Sequence, residues 1–174
     1  VKCYDRALEI NPENSNSWYG KGLLLNDKEK YNDALKCYDK ALKSNPSYKE
    51  ALNRKGLALY YQKKYTEALK CYEQVLDIDP NYADTWNNKG LILNSQKKYK
   101  EAIECYDKAV ELKPDHYIAW NNRAYTLYDM EKYEESIKAC EKATDINPKY
   151  SSAWYNKGYA LHALKKYNDA INFA

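Results

Sequence analysis

The spacing of the prolines constrains this chain more than any other feature. All five occupy one position of a 34-residue period: Pro12, Pro46, Pro80, Pro114 and Pro148. A fixed period of this length predicts a stacked array of small units, because one such unit cannot bury its apolar face alone. The repeat therefore overrides the single globular core that would be expected from a length of 174 residues.

Each period reads as two helices joined by short connections, which predicts antiparallel pairs in an all-α fold. First helices are predicted at 15–28, 49–62, 83–96, 117–130 and 151–164. Second helices are predicted at 32–44, 66–78, 100–112 and 134–146, with a lone one over Val1 to Asn11 and a truncated one from about 168. The residue before each proline avoids helical backbone, which ends the second helices. Asn32, Thr66 and Asn168 are interpreted as N-caps.

These boundaries make the chain one array over 1–174. It comprises the second helix of a partial repeat at 1–14, full repeats at 15–48, 49–82, 83–116 and 117–150, and a truncated repeat at 151–174. Because it begins and stops within second helices, we expect it to be an excerpt of a longer array.

The apolar residues show how one helix pair should pack. One stripe of the first helix carries a Trp (Leu52 in the second repeat), a small residue four positions later and a Leu three further on, as in Trp18, Gly22 and Leu25. This i, i+4, i+7 spacing lies on one helix face. The second helix brings small residues opposite this stripe, and Tyr4, Tyr38, Tyr72 and Tyr106 are predicted to pack the next repeat.

Composition argues against several classes of function. The net charge of +3 is too small for a nucleic-acid-binding surface, and no apolar run reaches the roughly 20 residues of a membrane helix. Four of the five cysteines follow the repeat period, so we interpret them as reduced, buried residues of an intracellular, cytoplasmic protein. No motif for a metal, a cofactor or catalysis is present, which predicts a protein that is not an enzyme and carries no cofactor.

The pattern Trp-x3-Gly-x2-Leu-x8-Ala-x3-Tyr-x2-Ala-x4-Pro resembles the tetratricopeptide repeat (TPR) family. The resemblance spans the chain, with departures at Leu52 and at Ala124, Ser136 and Cys140 of the fourth repeat. It implies a right-handed α-α superhelix in which first helices line a concave groove. Members of this family bind extended peptides or short helices there and do no chemistry themselves.

The groove residues implied by this reading lie on first helices, away from the Trp stripe. The predicted peptide-binding residues are Asn53, Arg54, Asn87, Asn88, Asn121, Asn122, Tyr125, Tyr128, Asn156 and Tyr159, and Tyr155 follows the Asn53 column. An Asn amide both donates and accepts, so a column of them can match peptide backbone. Equally, these amides could bond only to neighbouring backbone. A basic column, Lys21, Lys55, Lys89, Arg123 and Lys157, either lays its stems over the core with its charges in solvent or forms a functional ladder.

We therefore predict a non-catalytic scaffold that binds a protein or peptide partner, with no nucleic acid and no membrane. One alternative is a structural or self-stacking segment, with exposed faces at Tyr4 with Ala7 and at Leu161 with Ala170. Another is the substrate-recruiting arm of a larger enzyme. The TPR subtype that clamps a terminal carboxylate is a poor match, because its cations are missing.

Overall fold

A computed structural model describes residues 2–165, and all regular structure in that range is α-helical. The helices are α1 (Lys2–Ile10), α2 (Ser15–Asn26), α3 (Tyr31–Ser44), α4 (Lys49–Tyr61), α5 (Tyr65–Ile78), α6 (Ala83–Ser95), α7 (Tyr99–Leu112), α8 (Tyr117–Asp129), α9 (Tyr133–Ile146) and α10 (Ser151–Ala163). The predicted all-α fold of helix pairs is confirmed. The truncated helix expected from about 168 lies outside the described residues.

The second helices begin at a tyrosine, one residue earlier than predicted. Asn32 and Thr66 therefore lie inside α3 and α5, and the N-cap prediction is wrong for both. The N-cap residues are Lys30 and Lys64, neither of which makes a side-chain capping hydrogen bond. Asn168, the third predicted cap, lies outside the described residues.

The turn inside each helix pair explains this shift. Lys64 N donates to Leu59 O over 2.9 Å, and Lys63 between them has a φ of 61°. This six-to-one bond around a left-handed residue is a Schellman motif, which closes a helix C-terminus. The residue usually found there is glycine, but this chain has Glu29, Lys63, Lys97, Glu131 and Lys165. Without a glycine, nothing in the sequence indicated the motif.

The chain divides into two compact units, one ending at Thr85 and the other beginning at Trp86 within α6. In the first unit, α2 and α3 pack closely because Gly22 leaves room for the ring of Tyr38. A β-carbon at Gly22 would stand 2.5 Å from that ring. Leu25 and Tyr31 pack in the same cluster, which confirms that the pair is antiparallel. Tyr38 also packs against Ala58 of the following repeat, as predicted.

In the second unit, the same close approach joins Gly90 to Tyr106. The fourth repeat has Ala124 and Cys140 at these two positions, and both lie in one buried cluster with Leu127. A larger residue on the first helix is thus matched by a smaller one on the second. Ser136, the third residue of this repeat that departs from the repeat pattern, donates its hydroxyl to the carbonyl of Ala124 over 2.7 Å.

A hydrogen bond links the repeated Trp to the repeated Pro. The indole Nε1 of Trp18 donates to the carbonyl of Pro12, 2.7 Å away. Trp120 and Trp154 make the same bond to the prolines six residues before them, at 3.1 and 2.9 Å. Each of these three tryptophans therefore anchors the connection that enters its own helix.

Four of the five residues of the basic column pair with carboxylates sixteen residues earlier, on the second helix of the preceding repeat. These ion pairs are Lys21 with Asp5, Lys55 with Asp39, Arg123 with Asp107 and Lys157 with Glu141, at 2.6–3.0 Å. Lys21 Nζ also lies 5.4 Å from the centroid of the Trp18 ring. The prediction that these charges lie in solvent is corrected for these four residues, because each charge meets a carboxylate.

The cysteines follow the predicted pattern with one exception. Cys37, Cys71, Cys105 and Cys140 are buried free thiols, whereas Cys3 is exposed. Cys105 packs against Trp86 and Leu93 of the first helix in its own repeat. Because Cys3 is exposed, the prediction that it is buried was wrong.

Candidate functional site

One column of the predicted groove residues is buried. Asn53 in the first unit and Asn87 and Asn121 in the second are only 5, 5 and 6% exposed. The prediction that these three side chains present themselves to a partner is therefore corrected. Each of them is buried against the first helix of the following repeat, where it helps to hold the two repeats together.

Side-chain hydrogen bonds account for these buried amides. Asn122 Nδ2 donates to Asn87 Oδ1 and Asn156 Nδ2 donates to Asn121 Oδ1, each over 2.9 Å. Asn87 Nδ2 in turn donates to Asn88 Oδ1 at 3.3 Å. In the first unit, Thr85 Oγ1 donates to Asn53 Oδ1 at 3.0 Å. Except for the Asn87–Asn88 bond within α6, these bonds join side chain to side chain in successive repeats, which is neither of the two arrangements expected from the sequence.

Asn122 and Asn156 remain half-buried and keep unused hydrogen-bonding capacity. An Asn amide has two N–H donors and a carbonyl that can accept twice. Each of these residues uses one N–H on its buried neighbour, and their Oδ1 atoms accept no hydrogen bond from the described residues. One donor and one acceptor per repeat are thus available on this face.

A cluster of tyrosines lies beside these amides, on α8 and α10. Tyr155 is 63% exposed, and Tyr125 and Tyr159 are each 48% exposed. Tyr155 OH donates to Tyr159 OH over 2.8 Å, and Tyr128 meets the Tyr159 ring edge-on at a centroid distance of 6.4 Å. We define the tyrosine pocket as the cavity of about 250 Å³ lined by Tyr125, Tyr128, Asp129, Tyr155, Asn156 and Tyr159.

Asp129 gives this pocket its charge. Burial raises the pKa of its carboxyl above the ordinary value, since desolvation disfavours the ionised form. The Asp129 charge, followed by burial, raises the pKa of Tyr125. Asp129 is also the last residue of α8, at the end where the helix dipole is negative. The pocket is therefore aromatic and negatively polarised.

The structure brings Tyr125, Tyr128, Asn156 and Tyr159 together as predicted members of one site. Sequence reasoning missed Asp129, because an acidic residue at the end of a helix resembles any solvated charge. Its spacing of one turn after Tyr125 was the only available signal. Tyr155 holds the repeat position at which the three preceding repeats bury an asparagine, yet it is exposed.

Arg54 belongs to the first unit and is described by itself. It is exposed and makes no ion pair within the described residues. Burial raises the pKa of Tyr38 and Tyr72, and the Arg54 charge opposes that rise in both. The hydroxyls of these two tyrosines are buried and have no hydrogen-bond partner in the described part of the chain.

Comparison with protein-family models decides the family. A model for the tetratricopeptide repeat matches residues 15–48, 83–116 and 117–150, which is more than half of the chain. The chain belongs to the tetratricopeptide repeat family. Two further TPR models match residues 56–96 and 139–172. No curated protein matches this TPR chain at a significant level.

Solved TPR structures share its fold. PilF of Pseudomonas aeruginosa has a TM-score of 0.84 and 22% identity, covering 91% of this chain and 72% of PilF. MamA from Desulfovibrio magneticus RS-1 has a TM-score of 0.76 and 21% identity, covering 91% and 90%. YrrB, described as a TPR protein with an unusual peptide-binding site, has a TM-score of 0.68 and 24% identity, covering 98% and 88%. At these identities the likeness concerns the fold alone.

No helix among residues 2–165 is both long enough and apolar enough to cross a bilayer.

Proposed function

We propose that this TPR chain is a non-catalytic interaction module that binds an extended segment of a partner protein. The proposed surface is the amide–tyrosine face of the second unit, formed by Asn88, Asn122, Tyr125, Tyr128, Tyr155, Asn156 and Tyr159. The observation that carries the proposal is the juxtaposition of the exposed tyrosines with the half-buried amide of Asn156 in one cavity.

The chemistry of this face suits an extended peptide. Such a peptide presents N–H and C=O groups in alternation, and one Asn amide can pair with both. Tyrosine offers a large contact area at a small cost in conformational entropy. Each net hydrogen bond is worth about 0.5–1.5 kcal/mol. A few of them, together with the ring contacts, correspond to an affinity of about 1 μM.

Family membership supports a protein partner, since TPR proteins generally act as interaction scaffolds. The peptide-binding site named for YrrB supports a peptide as the form of ligand. As part of the proposal we place the protein in the cytoplasm, because all five of its cysteines are free thiols.

The self-stacking alternative gains less support from its named residues. Leu161 is buried, and Tyr4 lies against Gly20, so neither is a bare apolar surface. Ala170 lies outside the described residues. The alternative of a substrate-recruiting arm concerns other parts of a larger enzyme and makes no different prediction for this face.

A selection from a library of short random-sequence peptides tests the proposal. Enriched peptides would be titrated by fluorescence anisotropy against the wild type and against the double variant Tyr125→Ala/Tyr159→Ala. We expect the double variant to weaken binding about tenfold or more, because it removes two aromatic contacts.

Tyr61→Ala is the matched control, since Tyr61 is 53% exposed and lies in the first unit. It should change the affinity by less than about twofold, as expected for a residue outside the contact surface. Failure to enrich any peptide would refute the proposal, as would an equal loss in the control variant.

A further inference from the structure

The tyrosine pocket is small, aromatic and charged. Its volume of about 250 Å³ lies just below the roughly 300–1,000 Å³ typical of small-molecule sites. It is therefore suited to one side chain. We propose that this pocket binds a lysine side chain of the partner segment, with the ammonium group against the tyrosine rings and Asp129. The inference rests on the proposed function and adds the residue type that the site selects.

Charge complementarity identifies the occupant. Asp129 is exposed, forms no ion pair within the described residues, and has a carboxyl pKa that partial burial raises above the ordinary value. It ends α8, where the last carbonyls already carry negative charge. A positive group placed here would relieve both effects, whereas an acidic residue would aggravate them.

The rings supply the second part of a cation site. Tyr155 and Tyr159 have centroids 4.6 Å apart with planes at 50°, and Tyr128 stands at 90° to Tyr159. Rings at such different angles line one cavity, so a guest meets aromatic surface from several directions. The negative face of an aromatic ring attracts a cation within about 6 Å of its centroid. Aromatic cages of this kind recognise ammonium groups in other folds.

The first unit contains the same chemistry within the chain itself. Lys49 Nζ lies 5.2 Å from the centroid of the Tyr82 ring and 2.6 Å from Asp79 Oδ2. A lysine is thus held there between a tyrosine ring and an aspartate. The tyrosine pocket presents the rings and the aspartate without a lysine of its own among the described residues.

The test uses two small probes so that it does not depend on finding a peptide. Nα-acetyl-lysine N-methylamide is the cationic probe, and its Nε-acetylated form is the neutral one. Each would be titrated into the full chain with NMR detection of the tyrosine ring signals. We expect saturable shifts of the pocket tyrosines with the cation, at least about fivefold tighter than with the neutral probe.

Three variants locate the effect. Asp129→Asn should weaken binding of the cation about fivefold and leave the neutral probe unchanged. Tyr159→Leu should weaken it more than Tyr159→Phe, because only phenylalanine retains an aromatic face. Tyr61→Leu, at an exposed tyrosine of the first unit, should have no effect, and circular dichroism would verify the folding of each variant. Equal affinity for the two probes, or no shift at the pocket, would overturn the inference.

The two proposals fail in different ways. Peptides enriched from the random library without a shared lysine would overturn the lysine site and leave the interaction module standing. Binding of the cationic probe with no enriched peptide would overturn the interaction module and leave the cation-binding pocket standing.

Discussion

Asn156 donates its side-chain N–H to the side-chain oxygen of Asn121, 35 residues earlier and 2.9 Å away. Asn122 makes the same bond to Asn87. In the proposed function the exposed edge of each amide pair binds the partner, while the buried edge joins two repeats. The proposal therefore couples binding to stability at these residues. An alanine at Asn122 or Asn156 would leave a buried oxygen unpaired, so loss of binding in such a variant would not by itself identify a contact.

The hydrogen bond between Asn156 and Asn121 should therefore make a measurable contribution to the free energy of unfolding. Asn121→Ala should lower the free energy of unfolding by about 1–3 kcal/mol, because it breaks a buried hydrogen bond. A double-mutant cycle with Asn156→Ala should give a coupling of about 0.5–1.5 kcal/mol by urea denaturation. Asn16→Ala, an exposed asparagine in α2, should change stability by less than about 0.5 kcal/mol. A coupling near zero would contradict the interpretation.

Replacing glycine by alanine should change stability in opposite directions at Gly90 and Gly158, because only Gly90 lies close to a tyrosine ring. Gly90→Ala places a β-carbon 2.6 Å from the Tyr106 ring, and we expect a loss of about 1–3 kcal/mol. A β-carbon added at Gly158 would have no described atom within 4 Å beyond its chain neighbours and its own helix backbone, so Gly158→Ala should gain about 0.5–1 kcal/mol from helix propensity. Thermal or urea unfolding distinguishes them, and the same sign at both sites would be the contrary result.

The fourth repeat has Ala124 and Cys140 where the first three repeats have a Gly and a Tyr. We expect the volumes of these two residues to compensate each other. Cys140→Tyr alone should destabilise the protein by about 1–3 kcal/mol, because the ring meets the methyl group of Ala124 in a filled cluster. Adding Ala124→Gly recreates the pair found in the other repeats and should recover most of that loss. If the second change made stability worse, the two positions would not share their volume as inferred.

The buried thiols predict selective chemistry. Burial raises the pKa of Cys105 to about 11 and that of Cys140 to about 12, so their reactive thiolate is scarce near neutral pH. Cys3 is exposed. Ellman's reagent should label one thiol per native chain quickly and the other four only upon unfolding. Rapid labelling of two or more would contradict the described burial.

The same buried thiols should make the protein less stable at alkaline pH. A thiol whose pKa is raised by folding contributes stability below its ordinary pKa of about 9. That contribution is lost as the pH rises towards about 11 and 12, where Cys105 and Cys140 ionise in the folded state. The urea midpoint should therefore fall above about pH 9. Cys140→Ser would reduce the slope, whereas a midpoint that rises with pH would refute the argument.

Helices and their pairing were predictable because proline spacing and apolar periodicity report burial directly. The first helix predicted at 49–62 is Lys49–Tyr61, and the one predicted at 117–130 is Tyr117–Asp129. The burial of Asn87 was not predictable in this way, since its environment depends on a partner amide from another repeat. The same holds for Asp129, whose significance arises only where two helices bring tyrosines around it.

The ion pairs of the basic column have a consequence for how this chain could have grown. In each observed pair the carboxylate comes sixteen residues before the cation, so a repeat provides an acid to its successor and a base to its predecessor. Duplicating or deleting any whole 34-residue segment would keep acids opposite bases. Array length could therefore vary without new complementary mutations at these positions.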